Sequence, residues 1–254
     1  MLNDIIAKKN QELKKDAPRK IMNRESPHRS LKVALQNANR SVGLISEVKK
    51  ASPSKGLFAE QFEPEKIASA YEAAGADAIS VLTDQSFFQG SADNLISVKR
   101  HVQIPVLRKD FIIDERQITE SDAIGADVIL LIAAVLSPQK LHTFYQMAKQ
   151  LGLECLVEVH NGDELARLLD VFVPEIIGIN NRDLTTFKTD IQHTEDLLSD
   201  VPPESLLISE SGIKNNHDIG RLKRLGVHGV LVGEALMTSS TPEEGIRNLF
   251  GESR

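Results

Sequence analysis

Only one cysteine, Cys155, stands among the 254 residues, so no intrachain disulfide can form and a zinc site built on cysteine thiolates is not expected. A reducing, cytoplasmic setting fits. No apolar run approaches the ~20 residues of a membrane helix, and the opening MLNDIIAKKNQELKK lacks the unbroken apolar core of a signal peptide. The chain is expected to be soluble and unprocessed, with no membrane partner. Aromatic residues make up only 4% and do not alternate with basic ones as in single-strand binders, and the formal net charge is −6, so no nucleic-acid partner is expected either. A local basic pocket for an anionic ligand stays open. Neither an HExxH nor a paired-cysteine metal spacing occurs, nor a dinucleotide fingerprint or Walker-type GK[ST]; SPSKG is not one. His160 and His193 read as isolated histidines, structural or exposed. With no Pro/Gly/Ser-rich linker and no low-complexity segment, residues 1–254 read as a single domain.

What is present is a repeat of about 50 residues. AAGADAISVL (73–82) aligns with AIGADVILLI (123–132), and RLGVHGVLVG (224–233) is a degenerate third copy. Each reads as a helix end closed by Gly75, Gly125 or Gly226, a short turn and a β-branched apolar strand. Further apolar runs at 42–49, 105–111, 155–159, 176–181 and 206–212 join 78–83, 128–133 and 229–234 as eight candidate strands. Between them, segments such as 64–75, 141–152 and 217–226 repeat apolar residues at three and four, the helical spacing. Strict alternation predicts parallel pairing with right-handed crossovers. Eight such units in about 210 residues predict an α/β fold, a single (β/α)8 TIM barrel. Residues 1–40 hold two more helical patterns, LNDIIAKKNQEL and SLKVALQNAN, with Pro18 and Pro27 between them. They are expected to form an N-terminal helical extension over the barrel mouth.

In such a barrel, functional groups sit at the C-terminal strand ends, so the parity of each strand decides which residues face inward. Ile45, Glu47 and Lys49 share a face, as do Leu107, Lys109 and Phe111; the same holds for Leu156 with Glu158, Gly178 with Asn180 and Arg182, and Ile208 with Glu210 and Gly212. Any one of these charges alone reads as solvated or structurally paired. Seven polar residues in phase on apolar-patterned faces resist that reading, because unpaired buried ions cost several kcal/mol each. Glu47, Lys49, Lys109, Glu158, Asn180, Arg182 and Glu210 are therefore the candidate site, crowded enough to offer a proton donor beside an acceptor. SESGI (209–213) and VGEALM (232–237) follow the last two strands, where such barrels hold phosphate on backbone N–H groups. Ser211, Gly212, Gly233 and the N–H of Glu234 are the candidates there. The loop KASPSKG (50–56) adds Ser52, Ser54 and Lys55, with Gly56 as a hinge, and FFQGS (87–91) supplies Phe87 or Phe88 to an aromatic pocket.

EVKKASPSKG (47–56), FFQGS, PVLRKDFIIDERQI (105–118), GADVILLI (125–132), LVEVH (156–160), GINNRDL (178–184), SESGI and VGEALM run in order over roughly residues 40–240. Together they closely resemble the indole-3-glycerol-phosphate synthase family of tryptophan biosynthesis, a family of carboxy-lyases. The resemblance implies ring closure, decarboxylation and dehydration of 1-(2-carboxyphenylamino)-1-deoxyribulose 5-phosphate, with no cofactor and no metal. It implies Lys109 as a general acid at the ketone and Glu158 as general base in the dehydration. Lys49 matches the lysine that holds the substrate carboxylate and can act as an acid; which lysine serves which step stays open. Glu47 and Asn180 match contacts to the anilino nitrogen and hydroxyls, Arg182 one near the carboxylate, and Glu210 a supporting acid. Ser52, Ser211, Gly212, Gly233 and Glu234 match the phosphate side. Phe88, Phe111, Leu131 and Leu184 are candidates for an apolar wall that favours loss of CO2. Val48 stands where relatives often carry an aromatic residue and is expected to face the helices. A phosphorylated small-molecule substrate and a monomer are expected, with noncovalent pathway partners open.

Other readings compete. A different phosphosugar barrel, such as phosphoribosylanthranilate isomerase or a Schiff-base aldolase using Lys109 or Lys49, shares many of these features. A noncatalytic phosphometabolite-binding barrel is the reading from another class. Borohydride trapping separates the aldolase, and turnover of the carboxyphenylamino substrate separates the binding protein.

Overall fold

Eight short parallel strands close into a barrel: β1 (Gly43–Val48), β2 (Ala78–Leu82), β3 (Val106–Lys109), β4 (Val128–Ile132), β5 (Glu154–Val159), β6 (Ile176–Asn180), β7 (Leu206–Glu210) and β8 (Gly229–Val232). Each pairs with its neighbours in sequence, and β8 closes the ring on β1 with Gly43 opposite Gly229. This is the (β/α)8 barrel, seen in a computed structural model that describes residues 2–15, 24, 26–53, 55–58, 61–183 and 188–252.

The strands are apolar on both faces because both are covered. Ile45, Leu107, Val128, Leu130, Leu156, Ile208 and Leu231 fill the barrel interior. Leu44, Val48, Ile79, Val81, Ile129 and Leu131 belong to the outer layer against the helices. Val48 thus faces the helices as expected, and Leu131 does not belong to an apolar wall of the mouth. On β4 the inward positions are Leu130 and Ile132; the period of two sends Leu131 outward, and a strand apolar throughout hides that difference.

The helices between strands begin on caps the sequence supplies. Asp114 and Gln117 form a capping box on the helix Glu115–Ala123, Asn161 caps the helix Gly162–Leu169, and Ser137 followed by Pro138 opens the helix Pro138–Gln150. The three repeat copies share one device. Gly75, Gly125 and Gly226 each take φ between 76° and 93°, the left-handed turn that ends a helix. Two residues later, Asp77 accepts from the Leu44 N–H and Asp127 from the Val106 N–H, each at 2.8 Å, tying the start of the neighbouring strand. The degenerate copy keeps the device with another residue: His228 Nδ1 accepts from the Leu207 N–H at 3.0 Å.

The lead-in divides between the two ends of the barrel. Helix α1 (Leu2–Lys15) lies at the mouth, where the buried Lys9 ammonium pairs with Asp84 at 2.8 Å and Asp110 at 3.0 Å. Helix α2 (Leu31–Gln36) instead seals the base, opposite to an extension that covers the mouth throughout. Leu31 and Leu35 are buried with the barrel interior, and a Cβ on Gly43 or Gly229 would stand 2.6 or 2.9 Å from Leu35 Cδ2. Only glycine lets both strands accept that wedge.

Candidate active site

A cavity of about 710 Å³ opens at the C-terminal ends of the strands. Lys109 ends β3, and its ammonium lies 3.3 Å from both Glu158 on β5 and Glu210 on β7. Lys49, just past β1, donates to Glu47. Asn180 ends β6, where its side chain hydrogen-bonds Glu158 and its Oδ1 accepts from the Arg182 N–H at 3.0 Å. All seven polar residues expected from parity line this one cavity.

Glycines make the crowding feasible. A Cβ at Gly178 would sit 2.2 Å from Glu210 Oε1, and one at Gly233 would sit 2.3 Å from Glu47 Oε1. Both carboxylates occupy room that any other residue would fill.

Burial works against every charge here, so the partners decide the protonation states. For Lys109, burial pulls the pKa down, but Glu158, Glu210 and Glu47 outweigh it and hold the ammonium well above the usual lysine range. Glu158 is pushed up by burial, yet Lys109, His160 and Asn180 bring it well below the usual carboxylate range. Glu47 is likewise lowered against its burial by Lys49 and Lys109. Glu210 goes the other way: burial and the nearby Glu158 charge push it up to about 8 over the pull of Lys109. Both of its oxygens lack an aligned hydrogen-bond donor among the described residues; the Lys109 contact is one of charge. One cation thus stands between an ionised carboxylate and a neutral carboxyl.

Across the cavity, Ser211 and Gly212 follow β7 with φ of 67° and 78°. Ser211 is a non-glycine residue held in a costly left-handed conformation, and its carbonyl accepts from Asn181 Nδ2 at 3.1 Å. Gly233 caps the short helix Glu234–Met237, and Lys55 pairs with Glu234 at 3.1 Å, joining the loop after β1 to that after β8. Ser52 belongs to a two-residue strand, Ala51–Ser52, that pairs with Gly56–Leu57, so the loop after β1 is a small hairpin. Ser52, Ser211, Gly212, Gly233 and Glu234 all line the cavity. So do Phe88 and Phe111, whose ring centres stand 6.3 Å apart, whereas Phe87 turns to a shallow groove beside α1. Leu131 lies outside the cavity, and Leu184 and Ser54 fall outside the described residues.

Several lining residues were not legible from strand parity. Leu2 and Ile5 reach the cavity from α1, and Leu130 and Ile132 replace Leu131 in its wall. Asp110, itself a partner of Lys9, also lines the cavity. The two histidines read as isolated meet each other: His193 Nε2 approaches the His160 carbonyl at 2.5 Å, and the His160 ring approaches Glu158. The LVEVH run held a sign of the Glu158 contact alone, since His160 shares the inward parity of Glu158. Among the described residues no group of His, Cys, Asp and Glu is arranged to hold a metal ion, and no helix is long and apolar enough to cross a membrane.

The family described as indole-3-glycerol phosphate synthase matches this chain over residues 2–249. The chain belongs to that family. The indole-3-glycerol phosphate synthases of Halalkalibacterium halodurans and Bacillus velezensis are each 53% identical over 252 residues. Those alignments cover 99% of this chain, with 97% of the first relative and 100% of the second. Among solved structures, 3-hexulose-6-phosphate synthase from Salmonella typhimurium superposes with a TM-score of 0.65 at 13% identity, covering 83% of this chain and 98% of that one. KGPDC from Streptococcus mutans gives 0.63 at 10% identity, covering 84% and 97%. At such identities these two structures share the fold alone; the indole-3-glycerol phosphate synthase family is set by sequence.

Proposed function

We propose that this member of the indole-3-glycerol phosphate synthase family converts 1-(2-carboxyphenylamino)-1-deoxy-D-ribulose 5-phosphate to indole-3-glycerol phosphate, CO2 and water, a carboxy-lyase step of tryptophan biosynthesis. The observation that carries the residue assignment is the placement of Lys109 within 3.3 Å of both Glu158 and Glu210 at the mouth. Ring closure needs a proton at the ketone oxygen as the aromatic carbon attacks, and a lysine held protonated supplies it. Glu158, held ionised, accepts the proton whose removal drives loss of water. Lys49 and Arg182 hold the substrate carboxylate beside the apolar Phe88, Phe111 and Leu130, where loss of CO2 spreads charge away from water. Glu47, Asn180 and Glu210 meet the anilino nitrogen and hydroxyls, and the backbone at Ser211, Gly212, Gly233 and Glu234 with Ser52 meets the phosphate.

The same geometry disfavours the aldolase. A Schiff base needs a neutral amine, and Lys109 is surrounded by carboxylates that keep it charged. We read the protein as a cytoplasmic monomer acting on this phosphorylated small molecule. Fluorescence-monitored turnover with EDTA present tests the reaction: indole product from wild type and at least a hundredfold less (~10² or more) from Lys109→Ala is expected. Folded wild type that makes no product returns the isomerase, aldolase and binding-protein readings. A Lys109→Ala variant with near-normal turnover removes Lys109 from its role.

A further inference from the structure

Behind Glu158 stands a second cation that the proposed chemistry has not used. The His160 ring lies between two carboxylates: Nε2 is 3.1 Å from Glu158 Oε1, and Nδ1 is 3.4 Å from Oε2 of Glu164, on the helix that follows β5. A neutral imidazole would turn a lone pair toward one of them, so only the imidazolium suits both. Its side chain is 6% exposed; burial opposes the charge, but the two carboxylates outweigh it and raise His160 to about 10. The ring nitrogens lack hydrogen-bond alignment, so the coupling runs through charge.

The backbone holds this residue in place. The His160 N–H donates to Glu164 Oε2 at 2.8 Å, and its carbonyl meets His193 Nε2 from the helix Gln192–Leu197 that follows β6. Asn161 donates to the other Glu164 oxygen at 2.9 Å. The charged or titratable groups around His160 are thus Glu158 from β5, Glu164 from the following helix and His193 at its carbonyl, with Lys109 on the far side of Glu158.

We propose that His160 is a positioning residue for Glu158: its imidazolium, held by Glu164, is the countercharge that keeps the Glu158 carboxylate ionised when Lys109 gives up its proton. This rests on the synthase reading above. In ring closure Lys109 Nζ transfers a proton to the ketone oxygen and becomes a neutral amine, so Glu158 loses one of its two flanking cations, the one 3.3 Å from its Oε2. Without a second cation, the buried carboxylate would take up a proton and could not serve as base in the dehydration. His160 sits on the other carboxylate oxygen and stays charged throughout. Charges therefore alternate from Lys109 through Glu158 and His160 to Glu164.

The test compares wild type with His160→Gln, His160→Arg and Glu164→Gln, each checked for folding by circular dichroism. Expected for His160→Gln is a kcat lowered about tenfold or more with KM nearly unchanged, and an acid limb of the kcat profile moved up by about one pH unit, the tenfold equivalent. His160→Arg, which keeps the charge, retains the wild-type limb even if kcat falls, and Glu164→Gln moves it part of the way. A lower kcat with an unmoved limb assigns His160 a merely structural role and overturns the proposal. Carbon-13 NMR titration of the Glu158 carboxyl, in wild type and in either His160→Gln or Glu164→Gln, needs no turnover. A Glu158 titration unchanged by these substitutions overturns the proposal, whereas absent wild-type turnover with a shifted titration overturns only the synthase reading.

Discussion

Lys109 faces two carboxylates and carries one charge, so Glu158 and Glu210 cannot both be neutralised by it. The result is a division of labour between chemically identical groups, with Glu158 ionised and Glu210 protonated below about 8. A neutral Glu210 can donate a hydrogen bond to substrate, and an ionised one cannot. Turnover should therefore decline as pH rises through about 8. Glu210→Gln, which keeps a neutral donor, should hold its rate across that range; a kcat profile with the same alkaline limb in both enzymes would assign the limb elsewhere. At this scale the sequence was readable where parity met charge, as at Glu47, Lys109 and Glu158. It was opaque where the signal was proximity in space. His160 and His193 are far apart along the chain, and nothing in either segment announces that one ring touches the carbonyl of the other.

The elements were legible because a closed barrel imposes the same problem eight times. Each strand must be apolar, each helix must stop, and each strand start must be tied down, so Gly75, Gly125 and Gly226 recur with their turns. The inward and outward faces of β4 were not legible, since Val128 through Ile132 are all apolar and only the registered neighbours distinguish them. The third repeat carries a consequence for pH. His228 accepts a hydrogen bond in place of an aspartate, and burial lowers its pKa from the usual histidine value. Below about 6.5 the unfolded chain binds a proton that the folded chain refuses, so stability should fall as pH drops from there toward the lowered folded value. His28, lowered chiefly by burial, acts in the same direction, while His160, with its raised value, loses stabilisation only as pH rises above that point. His228→Asp restores the pattern of the other copies. Urea unfolding between about pH 7 and pH 5 should show a smaller loss of stability for the variant than for wild type; equal losses would mean that His228 does not carry the effect.

Across the whole molecule, the two ends of the barrel are fastened differently. At the mouth, α1 is held by Lys9, whose ammonium is shared by Asp84 and Asp110, while Arg108 and Lys9 together hold Asp110 down to about 2 over the effect of burial. Replacing Lys9 by methionine leaves buried carboxylate charge without this cation, a loss of about 3 kcal/mol by analogy with broken buried pairs. The helix, being peripheral, should absorb that loss by local undocking rather than by unfolding the barrel. Hydrogen exchange should then quicken over residues 2–15 with little change in the strands; protection of α1 at the wild-type level would show that Lys9 is not its fastener. Sequence patterns gave both lead-in helices but not their separation to opposite ends, because that depends on Leu35 finding the bare backbone of Gly43 and Gly229.

That wedge also bears on how the barrel assembles. β1 and β8 are the neighbouring strands farthest apart along the chain, so their pairing closes the longest loop and carries the largest closure entropy of the eight. Leu35 touches the first residue of both. The seat of helix α2 is thus shared between the first and the last strand, and it is whole only in the closed ring. The helix serves as a clasp across the closing seam, binding together the first and last strands of the ring.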